Sequence, residues 1–286
     1  MRLGRVGIWS WLIREDRPDV LAAVAELESL GYSTLWFPNS PVAFERAGGL
    51  LGATREIAVA TGIVSIWEHP PVQAAAAHRA LRQAHGDRFV LGLGVSHAHL
   101  VDRDEPGRYR RPLTRMREYL DALDATDGAV PPSERVLAAL GPRMLELSRD
   151  RGAGAHPYLT TVEHTRQARE ILGPDRVLAP ELGVVVEPDP ERARALARQH
   201  LTIYLRAPNY TNSWLRLGFT DDDLAGGGSD RLVDGLIAWG DGDTIRARVE
   251  EHHAAGADHV CLQVITADPM TPPLAEWRTL SRALSL

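Results

Sequence analysis

The 286-residue chain has no lysine; all 32 of its basic residues are arginine. Against 38 acidic residues this gives a formal net charge of −6. Nothing resembles the basic stripe that neutralises phosphates, so the composition argues against a nucleic-acid partner. Cysteine occurs once, at Cys261, which excludes an intrachain disulfide and a multi-cysteine zinc site. Its apolar setting, HVCLQVI, reads as a small buried hydrophobe and not a nucleophile. No segment approaches the roughly 18 consecutive apolar residues that a membrane span needs. The N-terminal stretch carries no small-residue cleavage site and runs at once into Arg14, Glu15 and Asp16, so it reads as a strand and not a signal peptide. There is no G-x-S-x-G elbow, P-loop or H-E-x-x-H, so hydrolase and kinase readings lack their key parts. What these absences leave is a cytoplasmic protein acting on a small-molecule substrate.

What is present is ordinary globular material, 44% hydrophobic and 24% charged. Short apolar runs alternate with longer amphipathic stretches. Strands are expected at 5–11, 33–37, 57–66, 89–95, 136–140, 153–159, 178–186 and 258–265, with helical spacing between them. Proline opens several of the helical stretches, and Gly31 stops the first. Near-continuous apolar strands alternating with helices imply a parallel sheet covered on both sides. Eight such units predict an α/β fold, a (β/α)8 TIM barrel, as one domain over 1–286. A doubly wound sheet is the rival, but its glycine fingerprint is missing from the first turn, WLIR. The long stretch after strand 7 predicts a helical insertion at roughly 188–243. Within it Gly226-Gly227-Gly228 follows no strand and reads as a flexible turn, not a phosphate cradle.

In a barrel, chemistry collects on the loops after the strands. That selects Asn39 and Ser40, the run from Gly62 to Trp67 with Ile63 and Ser65 in it, Ser96, His97 and His99, Gly141, His156, Tyr158 and Thr160, Glu181 and Gln263. His97 and His99 have a spacing that two metal ligands could use, but no acidic residue completes a set, so no metal is expected. His97 can exchange a proton near neutral pH. Glu181, a carboxylate within an apolar strand, needs a partner or a raised pKa. Trp9, Trp36 and Trp67 could flank a planar ring, although core packing is the commoner role. His164, His252 and His253 are expected on solvated helix faces.

The stretch RFVLGLGVSHA resembles strand 4 of the bacterial luciferase-like flavin and deazaflavin oxidoreductases. LESLGYSTLWFP, IAVATGIVSI and AGADHVCLQV resemble the same family in the same order, from strand 1 to the last helix. VLAALGPRMLELSRDR, GAHPYL, PNYTN and GFTDDDLAGGGSDRLVD are similar to an actinobacterial, coenzyme F420-dependent branch. The resemblance implies a homodimeric barrel with the redox ring at its mouth. It implies a non-proline cis bond at Gly62–Ile63 behind the ring, and Ser65 and Asn39 hydrogen-bonded to it. Leu140, Gly141 and Pro142, with His156, Tyr158 and Thr160, would follow the cofactor chain, and His97 would be the catalytic proton carrier. The sequence departs from the family's sugar-phosphate dehydrogenases, with Asn39-Ser40 in place of an acid–His pair and no lysine for a phosphate clamp. Coenzyme F420 is the cofactor implied, with FMN as the alternative in a monooxygenase of the same superfamily. A non-catalytic flavin-binding barrel is a further alternative.

Overall fold

The computed structural model describes residues 3–103 and 105–286. The chain begins with strand β1, Val6–Trp9, and helix α1, Pro18–Ser29. Proline at the first turn of α1 costs no hydrogen bond there. Val20, Ala23, Val24 and Leu27 form its buried face. Gly31, at φ +86°, turns the chain out of the helix into β2, Thr34–Phe37. Next come α2, Ala43–Ala53; β3, Ala58–Thr61; β4, Val64–Ser65; α3, Pro71–His85; and β5, Phe89–Gly94. A short α4, Ala98–Val101, precedes α5, Pro112–Asp124; β6, Arg135–Leu137; α6, Pro142–Arg151; and β7, Gly154–Ala155. Then follow α7, Val162–Leu172; β8, Val177–Leu178; and β9, Glu181–Val185. Beyond β9 lie α8, Pro190–Leu201; α9, Pro208–Arg216; α10, Asp221–Leu224; and α11, Asp230–Leu236. The chain ends with β10, Ile237–Trp239; α12, Gly242–Ala254; β11, Val260–Val264; and α13, Leu274–Leu284.

The fold is α/β, and every strand pairing is parallel. The hydrogen-bonded order is β10-β9-β11-β1-β2-β3-β5-β6-β7-β8, with β4 beside β5. The sheet is strongly curled. β8 at one end of this path and β9 near the other are separated only by Ala179 and Pro180. Bonds flank that join on both sides, from Ala179 N–H to the Ala155 carbonyl and from Cys261 N–H to the Pro180 carbonyl, at 2.9 and 3.0 Å. An inner hydrophobic cluster draws Trp9, Trp36, Ala60, Val90, Val136, Ala179 and Cys261 from successive strands. Cys261 is fully buried, as its apolar run predicts.

Three expectations need correction. The 57–66 strand is broken at Gly62 and Ile63, and no cis peptide bond occurs among the described residues, so Gly62–Ile63 is trans. The strand breaks with no cis bond, and the missing Cβ of Gly62 allows Trp9 and Phe37 to approach closely. The segment 188–243 is not purely helical: Ile237–Trp239 is a strand against Gly183–Val185. Helix α11 ends where the edge of β9 offers hydrogen bonds. Finally, His164 and His252 are buried, not solvated. Their ring nitrogens find the Leu140 carbonyl and the Thr165 hydroxyl at 2.9 Å each, which satisfies part of the cost of burying them.

Candidate active site

The carboxyl ends of the strands open into a cleft of about 660 Å³. Trp9 and Trp11 approach it from β1 and the loop beyond, Gly62 and Ile63 from the break before β4, and His97 from the loop after β5. Leu140, Gly141 and Pro142 enter between β6 and α6, and His156 and Tyr158 after β7. The far wall comes from beyond β9, where Tyr204, Asn209, Tyr210 and Arg216 line the same space. Sequence reasoning missed these four. The PNYTN stretch was a visible signal, but a helix contributing to a wall from long range has no local signature.

Eight of the residues singled out in the sequence therefore share one cleft: Gly62, Ile63, His97, Leu140, Gly141, Pro142, His156 and Tyr158. Asn39, Ser65 and Thr160 do not line it. The Asn39 carbonyl oxygen accepts from Ser65 N–H at 2.9 Å, and its amide donates to Glu68 at 2.9 Å. Asn39 thus braces the β4 bend, and Ser65 is fully buried. Thr160 is buried as well, with its hydroxyl unpartnered.

The floor is built around His156. Its Nδ1–H donates to the Ala179 carbonyl at 2.7 Å, which leaves Nε2 as a lone-pair acceptor. Burial pushes its pKa down to about 4, although the Ala179 bond opposes this, so the ring is neutral. Nε2 has no partner, and neither does the indole N–H of Trp9. Both lie against bare Gly62: a Cβ there would sit 2.8 Å from Trp9 Nε1 and 3.6 Å from His156 Nε2. The floor thus places one free donor and one free acceptor near a residue without a side chain.

His97 follows Ser96, which is held at φ +56°, a left-handed conformation uncommon for a residue with a side chain. Its Nδ1 meets Asn209 Oδ1 at 3.1 Å, and its ring stacks on His99 with centroids 5.6 Å apart. Burial lowers the His97 pKa, the Asn209 bond raises it, and His99 lowers it. Glu181 lies deeper. Its Oε2 accepts from Leu159 N–H at 2.9 Å, and Oε1 has no partner. No arginine pairs with it among the described residues, and burial pushes its carboxyl up to about 8. Tyr158 donates to Gln263 Oε1 at 2.6 Å and meets the Tyr204 hydroxyl at 2.8 Å. At the rim stand Arg143 and Arg216, both exposed and without an ion pair among the described residues. Among the described residues no group of three or more His, Cys, Asp or Glu could hold a metal ion. Nor is any helix there long and apolar enough to cross a membrane.

A cleft at the carboxyl edge of a curled parallel sheet, with a neutral imidazole on its floor, is where an α/β enzyme places its site. The chain belongs to the luciferase-like monooxygenase family, which it matches over residues 6–259. A Mycobacterium tuberculosis protein named as a coenzyme F420-dependent oxidoreductase is 27% identical over 126 residues, 43% of this chain. The match spans about a third of that protein's length, 35%. The fold resembles that of the coenzyme F420-dependent tetrahydromethanopterin reductase from Methanopyrus kandleri, at a TM-score of 0.74 and 16% identity. That likeness covers 96% of this chain and 97% of the other. The oxygenating constituent of 3,6-diketocamphane monooxygenase from Pseudomonas putida, in complex with FMN, aligns at a TM-score of 0.70 and 13% identity. There 99% of this chain and 98% of the other are covered.

Proposed function

We propose that this chain is an oxidoreductase that moves a hydride between a bound 5-deazaflavin, coenzyme F420, and a small organic substrate. In this reading the curled sheet is a (β/α)8 barrel in a single domain, with residues 177–185 as its seventh strand. The segment 188–243 is an insertion that lids the mouth. The observation that carries the reading is the floor of the cleft: Trp9 N–H and His156 Nε2, unpartnered, beside bare Gly62. A flavin or deazaflavin ring is flat and carries an amide edge with adjacent N–H and C=O groups. That edge is complementary to one donor and one acceptor, and leaving either buried atom unpaired costs about 1–3 kcal/mol.

The residues present fit such a group. Trp9 and His156 would face its amide edge, with Gly62 and Ile63 behind the ring. Leu140, Gly141 and Pro142 would follow the chain, and Arg143 and Arg216 would meet its phosphate. Tyr158 forms a wall. When bound, a deazaflavin supplies two-electron hydride chemistry, and the protein supplies position and electrostatics. His97 holds the accompanying proton at Nε2, with its Nδ1–H oriented by Asn209. Tyr204 and Tyr210 keep water from the ring. Asn39 and Ser65 act from behind, through the shape of the β4 bend, and Thr160 backs the wall without touching the ligand.

Titration of the purified protein with oxidised and reduced coenzyme F420 and with FMN tests this. Micromolar deazaflavin binding with substrate-dependent change at its absorbance band is expected. Binding of neither defeats the cofactor reading, and tight FMN binding with oxygen consumption transfers it to a flavin monooxygenase. A homodimer is proposed as well, to be checked by light scattering.

A further inference from the structure

His156 and Tyr158, which line the cleft, sit on the loop between β7 and α7. In that loop Leu159 is held at φ +52°, a left-handed conformation that a leucine keeps only where its surroundings over-determine it. Glu181, the first residue of β9, grips the chain on both sides of Tyr158. Its backbone N–H donates to the Pro157 carbonyl at 2.8 Å, and its side-chain Oε2 accepts from Leu159 N–H at 2.9 Å. The Leu159 carbonyl is taken separately, by the indole N–H of Trp214 on α9 at 3.0 Å. Glu181 itself is fully buried and paired in register with Cys261 of β11, so the anchor belongs to the sheet.

The grip reaches the cleft through Tyr158. The Tyr158 ring centroid lies 5.1 Å from that of Trp9, 5.5 Å from Tyr204 and 6.1 Å from Tyr210. All three neighbours line the same cleft. A loop that relaxed at Leu159 would carry Tyr158 away from Trp9 and reshape that wall.

We propose that Glu181 is a positioning residue for the ring site: through the Pro157 and Leu159 peptides it fixes Tyr158, and through Tyr158 the Trp9 side of the cleft. It does not line the cleft itself. The inference rests on the reading of the cleft as a ring site. The position requires an acceptor oxygen of the right reach and not a negative charge. The ionisable groups beside the carboxyl are Tyr158, Tyr204, Tyr210 and Cys261, all kept protonated by burial. Burial likewise raises the carboxyl's own pKa to about 8. An amide oxygen therefore serves equally, whereas a shorter or apolar side chain leaves Leu159 N–H unpaired.

Fluorine NMR of the full-length protein labelled with fluorotyrosine tests this. Of the lines from its six tyrosines, the one lost in Tyr158→Phe belongs to Tyr158. Glu181→Leu should displace or broaden that line. It should also weaken binding of coenzyme F420 or FMN, whichever the wild type takes up, by about fivefold, the effect of one lost hydrogen bond. Glu181→Gln should leave both readouts unchanged. If the leucine variant does not fold, Glu181→Asp replaces it: one methylene shorter, it cannot reach Leu159 N–H and should show the same two changes. An unmoved Tyr158 line in the folded variant overturns the proposal, as does a glutamine variant that loses as much as the leucine one. A displaced line with ligand affinity unchanged overturns it too. Wild-type protein that binds neither ring overturns the cofactor reading alone, and the fluorine line still shows whether Glu181 fixes Tyr158.

Discussion

His156 lies flat on Trp36, with ring centroids 4.2 Å apart and planes 17° from parallel. Trp36 in turn donates its indole N–H to His259 Nε2 at 3.1 Å, and the His259 ring meets the Gly4 carbonyl at 3.0 Å. The imidazole on the cleft floor is therefore fixed by the interior of the sheet. Its rigidity comes from packing below, and Nε2 has no hydrogen-bond partner among the described residues.

The first prediction concerns that ring. His156→Phe keeps the stacking on Trp36 but leaves the Ala179 carbonyl without its donor. The expected cost is about 1–3 kcal/mol of stability, measured by urea unfolding. Affinity for the ring ligand should fall about tenfold, because one acceptor is lost. Wild-type affinity in a folded variant would remove Nε2 from the site.

Buried histidines also set the pH profile of stability. Burial pulls His78, His156 and His200 down to about 4, and His252 and His259 to about 3. Below pH 6.5 the unfolded chain takes up protons that these rings cannot, so each weakens the fold by about 1.4 kcal/mol per pH unit on acidification. Glu181 runs the other way. Its carboxyl is raised to about 8, so its contribution is complete below its unfolded value near 4.5 and is lost as pH rises through 8. Five imidazoles outweigh one carboxyl below pH 6.5, and above it the Glu181 slope prevails. Melting temperature should peak near pH 6.5, fall steeply toward pH 5 and decline gently toward pH 8. Glu181→Gln should flatten the alkaline limb alone. A melting temperature that climbs from pH 6.5 to 5 contradicts this account.

Gly62→Ala introduces a Cβ 2.8 Å from Trp9 Nε1 and 3.2 Å from the Phe37 carbonyl. The carbonyl belongs to β2 and cannot yield, so the Trp9 ring must move. Overpacking of this kind costs about 1–3 kcal/mol, and the displaced indole narrows the cleft. Ligand affinity measured by fluorescence titration should drop more than tenfold, with a melting temperature lowered by several degrees.

Asn209→Asp places a carboxylate against Nδ1 of His97, where the amide oxygen now sits at 3.1 Å. An opposite charge at hydrogen-bond range favours the imidazolium, against the burial that lowers its pKa. The pH profile of turnover should shift upward by about one unit. His97→Ala should remove this dependence and lower turnover by about 10²–10⁴, with ligand affinity kept within twofold.

Arg216 tests the phosphate end. Its guanidinium lies 3.7 Å from where a Gly141 Cβ would sit. Arg216→Ala should weaken FMN by about tenfold at low salt and leave riboflavin, which lacks the phosphate, unchanged. Equal losses for both ligands would place the arginine elsewhere in recognition.

Much of this molecule was legible in its sequence. The alternation of apolar runs and amphipathic stretches gave the parallel α/β sheet, because strands buried on both faces leave an unbroken hydrophobic signal. The loops after those strands named Gly62, Ile63, His97, Gly141, His156 and Tyr158, and the family resemblance added Leu140 and Pro142; all eight meet in one cleft. Asn39 and Ser65 do not line the cleft; the Asn39 side chain instead accepts from Ser65 N–H, a contact 26 residues apart in sequence that no local pattern shows. Ile237–Trp239 fell within the stretch read as a helical insertion, since three apolar residues become a strand only when an edge such as β9 receives them.

Sequence by itself determined the absence of disulfides, the acidic balance, the period of each element and the set of loops that carry polar residues. These are properties of composition and local pattern. Tertiary structure decided which polar atoms were left unpaired. Whether Trp9, His156 or Glu181 finds a partner depends on neighbours brought from distant parts of the chain. Burial and hydrogen bonding, not identity, make such a group a structural brace or a site for a ligand.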